Sequence, residues 1–139
     1  IKIYEGTYIT TRYTVDSSDL SQRFILPDPS SDTSTLIVEV QNSISDTTTT
    51  VYTKATDISQ LGANSNVYYL QEIESGKFEV YFGDGVVSND VSDSNIVLLN
   101  YVVTNKKAGN GGTNFVNATG IDNVTDITVT TINKATGGN

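Results

Sequence analysis

The stretch Lys77–Gly112, KFEVYFGDGVVSNDVSDSNIVLLNYVVTNKKAGNGG, reads as strand, tight glycine turn, polar loop, long strand and glycine-rich loop. Phe78, Val80 and Phe82 alternate with Glu79 and Tyr81, the two-residue period of a strand with one buried face. Gly83-Asp84-Gly85 then breaks the strand, at a turn where Gly83 or Gly85 is expected to take positive φ. From Ile96 to Thr104 the chain is almost continuously apolar, which suits a central strand covered on both faces. Gly109-Asn110-Gly111-Gly112 closes the unit, with Gly109 and Gly111 as turn formers. No amphipathic helical period competes with this pattern.

The rest of the chain repeats the strand signal. Ile3–Val15 is rich in Tyr, Thr and Ile, with Gly6 as a bulge or break. Arg23–Leu26 is a short strand stopped by Pro27 and Pro29, whose rings exclude a central ladder position. Thr35–Gln41 alternates Leu36, Val38 and Val40 against Ile37 and Glu39, and Val51–Thr56 follows a polar tip. Val67–Ile73 should pair with Lys77–Phe82 across Glu74-Ser75-Gly76, a short glycine-bearing hairpin connection. Asp57–Leu61 is the one place that admits a helical turn. Gly120–Ile132 reads as a further strand with Ile127, Val129 and Thr131 on one side, followed by a flexible exit. The expected fold is all-β: a mainly antiparallel, sandwich-like domain with Gly-rich turns and little helix. Its long central strand, Ile96–Thr104, is expected beside the Val67–Phe82 hairpin. Residues 1–120 form the expected domain, and 121–139 a further strand and linker toward a following domain. The chain begins at Ile1 and contains no Met, so it is expected to be a piece of a longer protein.

Chemistry is bounded mainly by what is missing. The chain has no His and no Cys, so Ser-His-Asp and Cys-His sites, His-bearing zinc sites and thiol redox chemistry cannot be built from it. Asp84 with Asp90 and Asp93 is the best oxygen-rich loop for a cation, yet the spacing matches no EF-hand or nonapeptide repeat. Asp and Asn serving as turn formers is the favoured reading there. No catalytic residue, cofactor site or metal ligand is assigned. A net charge of −8, with eight basic residues, argues against nucleic acid or an anionic membrane as partner. Lys106-Lys107, the sole adjacent basic pair, reads as a solvated strand end. Apolar content is lean, which points to apolar surface shared with neighbouring domains or subunits. The adjacent Tyr68 and Tyr69 cannot both face a core, so one ring is expected to be an exposed aromatic or to meet a protein contact.

An ordered set of segments carries a family resemblance: RFILPD, TSTLIV, YLQEIESGKFEVYFGDG and the NIVLLNYVVTN–GNG pair. Together they resemble the baseplate wedge protein 6 family of contractile-tailed (myovirus) bacteriophages, which is related to baseplate J-like proteins. Such relatives usually keep a glycine shortly after FGDG and another before the next strand; here Ser88-Asn89 and Ser94-Asn95 stand in those regions. The resemblance implies a structural, non-enzymatic component of the virion tail baseplate, assembled in the bacterial host cytoplasm. Its implied partners are other wedge proteins and copies of itself, in a large assembly around the tail hub that rearranges to trigger sheath contraction. The Thr and Tyr content leaves an alternative, an extracellular β-sandwich adhesin binding glycans or a cell-surface receptor.

Overall fold

The computed structural model describes residues 4–56, 62, 64–83, 90–115 and 124–137. The chain divides into two compact units, Thr7–Val103 on one hand and Ile1–Gly6 with Thr104–Asn139 on the other.

Among the described residues the larger unit holds seven strands: β1 (Thr7–Thr14), β2 (Phe24–Leu26), β3 (Ser31–Gln41), β4 (Thr49–Lys54), β5 (Val67–Glu72), β6 (Phe78–Tyr81) and β7 (Ile96–Val103). They form one sheet in the order β1-β7-β3-β4-β5-β6-β2. Every pairing is antiparallel except a two-residue parallel contact of β4 with β5, Thr53 opposite Val67 and Lys54 opposite Tyr68. The first and last strands of that order come together. The Tyr13 hydroxyl on β1 donates to the Ile25 carbonyl on β2 at 2.7 Å, and its ring meets Phe24 edge-on at 5.7 Å. The sheet thus nearly closes on itself, a barrel-like sandwich around one core.

Two-residue alternation fills that core. Val38 and Val40 on β3, Val97, Leu99 and Tyr101 on β7, and Val80 on β6 all turn inward, with exposures of 5% or less. Phe24, Tyr52 and Phe82 add edge-to-face ring contacts at 5.2–5.6 Å, the arrangement aromatic quadrupoles favour. The all-β expectation holds. Helical geometry among the described residues is confined to short 3-10 turns, at Glu74–Gly76 and Lys106–Gly109.

Where the sequence placed strand limits, glycine and proline mark them. Gly6, at φ 139°, breaks the chain before β1 begins. β2 ends before Pro27 and lies at the sheet edge, as its prolines require. The β5–β6 hairpin turns at Ser75 and Gly76, both with positive φ (65° and 70°). One expected neighbour relation is corrected. β7 pairs with β1 and β3, while the hairpin lies beyond β4. Strand length explains this: β1 and β3, with 8 and 11 residues, can cover the 8 residues of β7, whereas β6 has 4 and pairs with β5 and β2.

Aspartates organise the loops. Asp16, Asp19, Asp28, Asp32 and Asp46 each accept the backbone N–H two residues on, from Ser18, Ser21, Ser30, Ser34 and Thr48, at 2.7–3.0 Å. Such turns hold the chain away from regular ladders without a glycine. Ser94, in a region where the resembled family keeps glycine, has φ 65°, and Asn95 N–H closes the turn on the Ser92 carbonyl at 3.1 Å. A Cβ is strained there, although glycine also raises the entropy of the unfolded chain. Ser94→Gly is therefore expected to raise stability by about 0.5 kcal/mol, read as a higher urea midpoint at constant slope. A lower midpoint would show that glycine's unfolded-chain entropy, with loss of the Ser94 hydroxyl's bond to Asp93, outweighs the relief of strain.

In the smaller unit the Asn105 side-chain amide donates to the Glu5 carboxylate. A Cβ at Gly109 would lie 2.7 Å from Glu5 Oε2, and Gly111 has φ 92°. Gly111 N–H donates to the Ala135 carbonyl at 2.8 Å, and Ala135 N–H returns a bond to Gly112 at 2.9 Å. The strand read from Gly120 to Ile132 is not formed among the described residues of that stretch, where Val124 alone is in a bridge. Its β-branched residues have the propensity but no well-buried face: Ile127 and Thr131 are half-buried, while Val129 and Ile132 are 42% and 90% exposed. The helical turn read at Asp57–Leu61 lies outside the described residues.

Candidate functional site

The outer face of β5, β6 and β2 gathers the polar and aromatic side chains that the inward face excludes. Tyr69 and Tyr81 stand opposite each other in register, and their rings stack at 5.2 Å with an interplanar angle of 18°. Two residue pairs along, and next on the same face, Glu79 faces Gln71 on one side and Ile25 on the other. The Arg23 guanidinium grips Glu79 with two bonds, Nε to Oε1 at 2.9 Å and Nη2 to Oε2 at 2.6 Å. Beside this pair an open groove is lined by Arg23, Ile25, Gln71, Ile73 and Lys77.

The tyrosine pair resolves as strand geometry demands. Tyr68 is 4% exposed and belongs to the core, while Tyr69 carries its ring to the surface. Of the two rings, Tyr69 is therefore the one at the surface, where it stacks on Tyr81, which is 43% exposed. Gly109 and Gly111 occupy turns, as described above. Gly83 is the last described residue before 84–89, so the turn expected at Gly83-Asp84-Gly85 lies outside the described residues. Asp90 and Asp93 do not converge on a common point. Asp90 accepts its neighbour's N–H, from Val91, at 2.7 Å. Asp93 accepts the Ser17 N–H at 3.0 Å and the Ser94 hydroxyl at 3.2 Å, which ties two loops together. Among the described residues no group of three or more carboxylates is placed to hold a metal ion.

Electrostatics point the same way. Hydrogen bonds hold the Asp19, Asp46, Glu79 and Asp93 carboxyls below their ordinary range, Glu79 through Arg23 first of all. Burial pushes the Tyr13, Tyr52 and Tyr68 hydroxyls up. These carboxylates are kept ionised as hydrogen-bond acceptors, the opposite of a poised general acid. Because the folded Glu79 carboxyl is depressed, its pairing stabilises the chain above the unfolded carboxyl range and is lost as pH falls through the folded value. Between pH ~7 and ~3, Glu79→Gln should lose less stability than the parent in urea titrations. Parallel losses would show that the pair contributes nothing.

The Arg23–Glu79 pair had no sequence signal, because its members lie 56 residues apart. Tyr81 was visible as an outward residue of its strand, and only the register set it against Tyr69.

A family model described as bacteriophage baseplate wedge protein gp6, third domain, matches residues 11–117. The baseplate wedge protein gp6 of Enterobacteria phage T4 is 31% identical over 88 residues, an overlap of 52% of this chain and 13% of that relative. The chain therefore corresponds to a small part of the relative's length.

Proposed function

The chain belongs to the bacteriophage baseplate wedge protein gp6 family, and from that membership we propose that it is a structural part of a phage tail baseplate wedge. It works by presenting surfaces to other wedge proteins and to its own copies around the tail hub, and it transmits the rearrangement that precedes sheath contraction. Its action is non-enzymatic, and its site is the virion after assembly in the host cytoplasm. The match over residues 11–117 carries this reading, because it spans the strands that build the core of the larger unit. The physical features agree: the core is closed, five aspartates cap their own turns, and the outer face offers a stacked tyrosine pair.

Tyrosine supplies contact area at low entropic cost and anchors many interfaces. Replacing Tyr69 and Tyr81 together with Ser in the parent phage should stall baseplate assembly, while the folded chain persists. The stack contributes only about 0.5–1.5 kcal/mol to folding. Sedimentation of assembly intermediates gives the readout. Normal yields of contractile tails would remove these rings as contact residues, and absence of the chain from purified baseplates would defeat the structural role itself. Saturable glycan binding by the protein would favour the adhesin alternative.

A further inference from the structure

β1 and β3 end and β7 begins at the same edge of the fold, with Thr14, Ile96 and Gln41 in one row. Three loops meet there, at residues 15–23, 42–48 and 90–95. Each of the first two holds out an aliphatic side chain: Leu20 is 99% exposed and Ile44 is 87% exposed. Neither tip is loose. Asp19 and Gln22 close successive turns around Leu20, and the Gln22 side chain donates to the Thr14 carbonyl at 2.7 Å. Around Ile44, Asp46 N–H donates to Ser43 Oγ at 3.0 Å and the Asn42 amide donates to Asp46 at 2.8 Å. The third loop clamps both: Asp93 accepts the Ser17 N–H at 3.0 Å, and the Asn95 amide donates to the Asn42 carbonyl at 2.8 Å.

Single exposed aliphatics are common on protein surfaces, whereas two held nearly bare on hydrogen-bonded loops fixed to one clamp are a prepared surface. The loops themselves carry one sign, while Arg12 on β1, below them, turns its guanidinium to the Gln41 side chain at 3.5 Å. Asp16, Asp19, Asp46, Asp90 and Asp93 lie on these loops, and their described residues before Arg23 include no Lys or Arg. Arg23, at the end of the first loop, is committed to Glu79. Such a rim repels an anionic bilayer and attracts basic protein surface.

We propose that this loop end docks a neighbouring wedge protein, seating Leu20 and Ile44 in an apolar depression rimmed by Lys and Arg. This rests on the wedge reading above and adds the surface and the partner's chemistry.

A photo-crosslinking residue in place of Leu20, in the full-length protein carried by the phage, should mark one neighbouring chain in assembled baseplates. Binding of that chain is then compared for parent, Leu20→Ser with Ile44→Ser, and Asp19→Asn with Asp46→Asn. Asn keeps the turn-forming acceptor and removes only charge. The aliphatic variant should bind about tenfold or more weakly. Affinity for the parent should fall with added salt, and the Asn variant should lose much of that dependence. Baseplates that contain the chain but yield no adduct from position 20, or variants that bind like the parent, would overturn this surface and leave the wedge role standing. Baseplates that lack the chain would overturn both.

Discussion

Replacing Tyr101 with Ala should lower the stability of the 139-residue chain by about 4 kcal/mol, a large share of the ~5–15 kcal/mol available to a typical domain. Tyr101 is 1% exposed and is the largest fully buried side chain. It sits on β7, paired on one side with β1, and packs in the cluster that contains Val38, Leu99 and Tyr68. Strands on both sides prevent collapse into the space left behind, so the cavity cost adds to the lost burial. The ring also carries a hydroxyl 3.0 Å from Thr11 Oγ1. Ala would leave that threonine without this partner, whereas Tyr101→Phe would remove the bond and keep the packing. The Phe variant should cost about 1 kcal/mol. Leu20→Ala, at a site 99% exposed, should change stability by less than about 0.5 kcal/mol. Urea unfolding ranks the three at a shared slope. Equal midpoints for the Ala and Phe variants would show that the hydroxyl, rather than ring burial, dominates at this position.

Part of this ranking is readable in the sequence, since the nearly continuous apolar run Ile96–Thr104 marks a central strand. Such a run does not show that Val97, Leu99 and Tyr101 are the inward set. The inward sets of β3 and β6 and the β5–β6 hairpin were legible because alternation and turn glycine are local properties. Which strands lie side by side was not legible. β7 takes β1 and β3 because their lengths match, and that competition is settled across the whole chain. Tyr68 and Tyr69 show the limit at one residue. Two identical neighbours cannot reveal which turns inward, although Leu70, opposite Val80, marks the inward parity as that of Tyr68. Propensity misled at Thr125–Ile132, where β-branched residues found no paired strand among the described residues. The spacing Asp-x-Ser/Thr at five turns was present throughout, and its meaning depended on where each Asp side chain could reach.

The second large effect lies where local reading placed the start of β3 too late. The sequence suggested a strand from Thr35, while β3 begins at Ser31 and shifts register against β7 between Asp32 and Ile37. At that irregularity a side chain takes the place of the ladder. Thr35 Oγ1 accepts the Val102 N–H at 2.9 Å and donates to the Asp32 carbonyl at 2.7 Å, so one hydroxyl serves two backbone groups. Valine has nearly the same shape and can do neither. Thr35→Val should therefore cost about 2–3 kcal/mol, since both groups are part-buried and each loses this partner. Thr35→Ser keeps the oxygen and should remain within about 1 kcal/mol of the parent. Hydrogen exchange at the Val102 amide gives an independent readout: Val should accelerate it and Ser should not. If Val folds as stably as the parent and Val102 stays protected, the bulge is held by the flanking Ile37–Gln41 ladder and the threonine is incidental to it.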